Sequence, residues 1–338
     1  MPSHNRIACL TSRPTGSAGR ENFTFEDGPI PEPGEGQFRV RVHFISLDPA
    51  MRGWMNENPV YVPPIPLGSP MRAYAAGVVE ASRNPKFADG QAVIGMFGVQ
   101  RYALSDGRGV MPVDTGLAPL QRWIGGLGMP GATAYLGTTR ILEPKEGQTL
   151  VVSGAAGAVG SIVGQIGKRF GCRVVGIAGG PEKTSRLKEM YGFDEAVDYK
   201  AGDLSRRLRE AVPDGVDLYF ENVGGPVGNA VMHRMRTFGR VAVCGLIARY
   251  NDADPSAGGY DARASASILL NRLKVQGFIV SDFGPAAFME AVQTLAQWHA
   301  EGALTLAEDV REGGIDAYPE TLNMLYSGEN QAKLVLRV

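Results

Sequence analysis

The residues best placed to do chemistry are the glycines of Ser153-Gly154-Ala155-Ala156-Gly157-Ala158-Val159-Gly160. An apolar β-branched run, Thr149–Val152, precedes them. Ile162, Val163 and Ile166 follow at helical spacing, and Gly171 stands where a helix C-terminal glycine belongs. Strand, glycine turn and helix in immediate succession predict a phosphate-cradling corner. Backbone N–H groups at the helix start face an anion, and the helix dipole favours its charge. Side chains would block that approach, so the turn needs glycine. In G-x-G-x-x-G register Ala155 takes the first position and Gly157 and Gly160 the next two, a small departure. The alternative is an ordinary glycine-rich turn; the flanking strand and helix favour a dinucleotide.

The end of the next strand selects the dinucleotide. An NAD site places Asp or Glu about 20 residues on, against the ribose 2′-OH. This chain reads Ala178-Gly179-Gly180-Pro181, with Lys183 just beyond. Small residues with a nearby cation suit the 2′-phosphate of NADP. Glu182 argues the other way, but a helix first turn favours an acid in any case. Lys183 also reads as a solvated helix lysine.

Metal chemistry lacks its ligands. Cys9, Cys172 and Cys244 have no C-x-x-C spacing, and His4, His43, His233 and His299 stand apart. Hydride transfer without a metal still requires stabilisation of the oxygen that gains charge. Addition to the β-carbon of an unsaturated carbonyl spreads that charge into an enolate, for which one hydroxyl donor suffices. The loop Gly245-Leu246-Ile247-Ala248-Arg249-Tyr250-Asn251 follows the fifth strand and offers Tyr250. Tyr250 reads equally as an aromatic packed on its own loop.

These residues need elements to hold them. At 338 residues, 44% hydrophobic and net charge −1, the chain has length for about two domains and a full core. No basic excess points to nucleic acid, no apolar run of ~18 residues predicts a membrane span, and Met1–Pro14 lacks the apolar core of a signal peptide. The odd, scattered cysteines predict a reducing cytoplasm. Residues 1–122 read as β-rich, with Phe38–Leu47 alternating apolar and polar and with dense Pro and Gly. From 123 to 299 strands and helices alternate, with strands at Cys172–Ala178, Glu195–Tyr199, Val216–Glu221, Arg240–Ile247 and Lys274–Val280. Helices are expected at Pro181–Tyr191, Asp203–Val212 and Pro285–Glu301. Repeated βα units predict a doubly wound parallel sheet. Residues 300–338, with a helix near Tyr318–Tyr326 and a final strand, return to the first domain.

Several stretches together carry a resemblance along almost the whole chain. They are Ser46-Leu47-Asp48-Pro49-Ala50-Met51-Arg52-Gly53, Gly128-Met129-Pro130-Gly131-Ala132-Thr133-Ala134-Tyr135 and the glycine turn. Glu221-Asn222-Val223-Gly224-Gly225, Cys244-Gly245-Leu246-Ile247, Tyr250-Asn251 and Gly328-Glu329-Asn330 continue the series. The chain resembles the zinc-free medium-chain dehydrogenase/reductases, in particular the NADPH-dependent alkenal and enone reductases. The resemblance implies an α/β fold: a GroES-like β-rich barrel built from both chain ends, a Rossmann domain between, and a homodimer. It implies NADP(H) without a metal. Gly157, Ala158, Val159 and Gly160 would hold the pyrophosphate, and Gly180, Lys183 and Tyr199 the 2′-phosphate. Met129, Thr133, Asn222, Cys244, Gly245, Leu246, Ile247, Phe278, Ile279, Val280 and Asn330 would complete the cofactor site. Tyr250 matches the family tyrosine beside the substrate carbonyl. Ala50 stands where relatives often carry tyrosine, which predicts a reshaped substrate pocket. Gly180 stands where relatives often carry a small hydroxyl residue.

The expected activity is NADPH-dependent reduction of the C=C bond of α,β-unsaturated aldehydes or ketones. The alternatives are a quinone reductase on the same fold and a non-catalytic NADPH-binding sensor.

Overall fold

The computed structural model describes residues 4–59, 61–252 and 259–338. It contains two compact units. The first takes the chain up to Gly125, Tyr250 with the residues just after it, and Glu308–Val338. Its seven-stranded sheet runs Glu308–Arg311, Lys333–Arg337, Phe38–Ser46, Ala75–Ser82, Ala92–Gly95 and Met111–Pro112, with Tyr102–Ser105 also paired to Phe38–Ser46. A three-stranded sheet joins Phe23–Gly28, Asn5–Leu10 and Ser69–Pro70. In Phe38–Ser46 the alternation read from sequence is a burial alternation: Phe38, Val40 and Val42 face the core while Arg39 and Arg41 are partly exposed. Val335 lies opposite Ser46 in antiparallel register, so the last strand of the chain completes a sheet begun by the first hundred residues. Leu47, Met51, Tyr318 and Leu336 are buried together beneath it.

The second unit takes Gly126–Arg249 and 259–307. Its six strands are β1 (Thr149–Ser153), β2 (Arg173–Ala178), β3 (Glu195–Asp198), β4 (Val216–Glu221), β5 (Met235–Val243) and β6 (Lys274–Gly277). All pair in parallel, in the order 3-2-1-4-5-6. That is the order of dinucleotide-binding sheets, reversing between β1 and β4. Leu150, Val151 and Val152 are all fully buried, as a strand covered on both faces requires. The helices are α1 (Met129–Leu136), α2 (Gly160–Arg169), α3 (Pro181–Glu189), α4 (Leu204–Ala211), α5 (Gly225–Met232), α6 (Ala262–Leu270) and α7 (Gly284–Ala300). Helix α2 approaches the sheet through glycine: a Cβ on Gly164 would collide with the Phe193 ring, and one on Gly167 with Leu150. Gly171, at φ +74°, ends that helix in the left-handed region, as its position in the sequence predicts.

Two strands differ from the sequence expectation. β5 starts at Met235 and stops at Val243: Cys244 N–H makes the last ladder bond to the Glu221 carbonyl, and Gly245 N–H doubles back on the same oxygen. β6 stops at Gly277, and Val280–Phe283 forms a short 3₁₀ turn. Cys244–Ile247 and Phe278–Val280 therefore lie on loops at the carboxyl ends of the strands.

Candidate dinucleotide and substrate site

The glycine turn leaves β1 where the strand order reverses. Gly154 takes φ +59°, and a Cβ on Gly160 would stand 2.5 Å from the Gly154 carbonyl oxygen. The turn closes on itself at that point, so α2 must begin with glycine. At Gly157 a Cβ would meet only the Gly154 oxygen, at 3.2 Å, and would otherwise fill open space at the helix N-terminus. Among the described residues, the N–H groups of Ala158 and Val159 have no protein acceptor. Free donors at the positive end of a helix beside an uncovered glycine fit a pyrophosphate.

At the end of β2, Gly180 adopts φ +93° and precedes α3, whose first turn holds Lys183. Gly180 N–H donates to Asp198 Oδ1 at 2.8 Å, and Lys200 N–H to the same oxygen at 2.9 Å. A Cβ on Gly179 would lie 2.8 Å from the Tyr199 ring and 3.0 Å from Lys200 Cε. Tyr199, 41% exposed, and Lys200 thus pack over the small floor left by the glycines. Lys200 is a cation that the sequence reading passed over. Its signal was adjacency to Tyr199 at a strand end. Asp198, the acid of this corner, spends its Oδ1 on backbone donors.

On the other side of the strand reversal, Asn222 follows β4. Its Nδ2 donates to the Ser153 carbonyl at 2.7 Å and its N–H to Ser153 Oγ at 2.9 Å. Ile247 N–H and Ala248 N–H return to the carbonyls of Asn222 and Val223, so Cys244–Ile247 and Asn222–Gly224 form one stitched pair of loops. Leu246 covers Gly224, where a Cβ would meet its Cδ2 at 3.0 Å. Phe278 stands edge-on to Phe220 and Phe283, with centroids 6.1 and 5.9 Å apart, and Ile279 N–H donates to Asp282. Met129 and Thr133 sit one turn apart on α1, where Thr133 Oγ1 donates to the Met129 carbonyl. Burial, then the Glu221 charge, pushes the Cys244 thiol up to about 12. Burial likewise pushes Cys172 up to about 11, and Cys9 is raised by burial and Glu26.

The first unit holds the remaining expected residues, Tyr250 and Asn330. Tyr250 follows the 3₁₀ turn Ile247–Arg249. Tyr326 is partly buried, with its hydroxyl donating to the Pro49 carbonyl at 2.9 Å. Burial raises that phenol, Arg52 opposes the rise and Tyr250 adds to it, so the two tyrosine hydroxyls lie within electrostatic reach. Ala50 follows Pro49 and opens the helix Ala50–Trp54, packed on the same core as Tyr326. Asn330 Nδ2 donates to the Ala332 carbonyl. Among the described residues no group of three His, Cys, Asp or Glu side chains is arranged to hold a metal, and no helix is long and apolar enough to cross a membrane.

Residues 6–113 match the family model described as the N-terminal domain of oxidoreductase, and residues 158–297 the one described as zinc-binding dehydrogenase. The chain is 40% identical to the NADPH-dependent curcumin reductase of Escherichia coli, over 99% of this chain and 97% of that protein. It is 39% identical to the NADP(+)-dependent 2-alkenal reductase of Nicotiana tabacum, over 91% of this chain and 89% of that one. The crystal structure of CurA in complex with NADPH from Vibrio vulnificus superposes with a TM-score of 0.93 at 40% identity, covering 98% of this chain and 99% of that one.

Proposed function

Because the chain belongs to the medium-chain dehydrogenase/reductase family, we propose that it is an NADPH-dependent reductase of the C=C bond of α,β-unsaturated aldehydes and ketones. The observation that carries this reading is full-length likeness to reductases named for curcumin and for 2-alkenals, both conjugated carbonyl compounds.

The second unit supplies most of the cofactor contacts, and the first, completed by the C-terminal segment, selects the substrate. Gly157, Ala158, Val159 and Gly160 hold the pyrophosphate. Gly180, Lys183 and Tyr199, joined by Lys200, hold the 2′-phosphate. Met129, Thr133, Asn222, Cys244–Ile247, Phe278–Val280 and Asn330 hold the nicotinamide half. Bound NADPH supplies a hydride to the β-carbon of the substrate. Tyr250 donates a hydrogen bond to the carbonyl oxygen as charge develops there, in place of a metal. The α-carbon then takes its proton from solvent or from Tyr250.

The protein acts as a cytoplasmic homodimer. Three unpaired cysteines fit a reducing compartment. β6 is an edge strand of four residues, and beside it Phe238 N–H bonds Asn271. Phe238, Leu269 and Leu270 are 71%, 78% and 67% exposed. An open edge next to exposed large apolar side chains fits a second copy.

A screen of NADPH oxidation against enals, enones and quinones, with product identification, tests the reading. Saturated carbonyl products support it. Turnover of quinones alone, or none at all, overturns it.

A further inference from the structure

Glu221 ends β4 with a fully buried carboxylate at the strand reversal. Three donors converge on its Oε1: Ser153 Oγ at 2.8 Å, Val223 N–H at 2.8 Å and Gly224 N–H at 3.0 Å. Ser153 Oγ in turn accepts the Asn222 N–H. The main-chain carbonyl of Glu221 takes Cys244 N–H at 2.9 Å and Gly245 N–H at 3.1 Å. One residue thus pins Asn222–Gly224 with its side chain and Cys244–Gly245 with its backbone, joining both loops to β1 through Ser153.

The second oxygen, Oε2, is buried and has no hydrogen-bond partner. It abuts α5, where a Cβ on Gly228 would fall 2.5 Å away, next to the Tyr260 ring. Tyr219, Tyr260 and Cys244 surround the carboxylate, and burial together with the Glu221 charge raises all three. A buried carboxyl group is costly unless it is hydrogen-bonded, and the three donors at Oε1 offset part of that cost. Those hydrogen bonds fix the backbone of the loops on one side of the glycine turn and leave the β2–α3 corner alone.

We propose that Glu221 and Ser153 are a positioning pair that holds the nicotinamide half of the cofactor site, and only that half. The inference rests on the assignment of Asn222 and Cys244–Ile247 to that half. Neither side chain touches the reacting atoms. Their work is to hold the Asn222 amide and the Val223 and Gly224 N–H groups where a dinucleotide finds them already ordered.

The test compares two ligands on the full chain: NADPH, and 2′,5′-ADP, which carries the adenosine half alone. Ser153→Ala and Glu221→Ala should each weaken NADPH binding about tenfold and leave 2′,5′-ADP binding unchanged. Glu221→Gln keeps an acceptor oxygen and should stay within about threefold of the wild type. Amide exchange at Val223 and Gly224 should quicken in both alanine variants and not in the glutamine variant. Equal weakening of both ligands, or unchanged NADPH affinity in Ser153→Ala, overturns the proposal. Ser153→Ala removes a single oxygen and decides the question even where Glu221→Ala does not fold. Asn222→Ala tests the underlying assignment separately: unchanged NADPH affinity there overturns the assignment, whatever the pair does.

Discussion

Lys333 Nζ stands 2.7 Å from Asp48 Oδ1, and both side chains are buried. The lysine also donates to the Leu47 carbonyl at 2.8 Å, while Ser46 Oγ occupies the other Asp48 oxygen. The last strand of the chain is thereby bonded to the turn that leads into Pro49 and Ala50. Removing one partner leaves an uncompensated buried charge. Lys333→Met should therefore lower unfolding stability by about 3–5 kcal/mol, and adding Asp48→Asn should recover part of that loss. Urea denaturation of the two variants checks both statements. A loss under ~1 kcal/mol would mean that the pair is solvated in solution.

Under the proposed function, cofactor choice falls to the corner built from Gly179, Gly180, Lys183, Tyr199 and Lys200. Lys183→Ala should raise KM for NADPH roughly tenfold and barely change that for NADH, because only NADPH carries the 2′-phosphate. Lys200→Ala should act in the same direction. Steady-state kinetics with both cofactors gives the comparison, and equal use of NADH and NADPH by the wild type would sink the assignment.

Tyr250→Phe removes one hydroxyl and keeps the ring. A donor at the carbonyl oxygen is worth more in the transition state than in the ground state, so the loss should appear in kcat. Removing such a donor typically costs ~10² to 10³ in rate. Here the expected fall is about 10- to 100-fold, because the developing charge is spread over an enolate. NADPH affinity should hold, and the product should be the saturated carbonyl. Wild-type turnover across several enals would remove Tyr250 from the reaction, and an allylic alcohol product would change the reaction class.

Leu269 lies near the open edge of the six-stranded sheet. If the proposed dimer forms through this edge, Leu269→Glu should yield a monomer in light scattering where the wild type gives a dimer, with little change in the unfolding midpoint of the monomer, since the side chain is mostly exposed in the single chain. A wild-type protein that elutes as a monomer at micromolar concentration would contradict the dimer directly.

The dinucleotide corner was legible because its signals are local. The apolar run of β1, the glycines of the turn and the spacing along α2 lie within 25 residues, and each has one geometric meaning. The loops opposite were less legible. Cys244–Ile247 reads as a continuation of β5, since an apolar run carries no mark of where pairing ends. The strand stops where Gly245 N–H doubles back on the carbonyl of Glu221, a residue on the neighbouring strand. Helix α5 begins Gly-Pro-Val-Gly, poor helix formers, and exists because Val227, Ala230 and Val231 pack on the sheet. Glu221 stood in a quoted motif, yet nothing in its neighbours' types shows that its side chain turns inward. Lys200 was missed for a similar reason: only the fold lays it over Gly179.

The three thiols have a consequence for the life of the catalyst. Enals are soft electrophiles that add to thiolates, so a reductase of the proposed kind would be exposed to its own substrates. Cys9 and Cys172 are buried, Cys244 is partly enclosed, and all three are raised above the ordinary thiol range. Burial raises Cys172 and Cys244, so both hold less reactive thiolate at neutral pH than an exposed cysteine would. The same desolvation that packs these side chains makes them poor targets for such electrophiles.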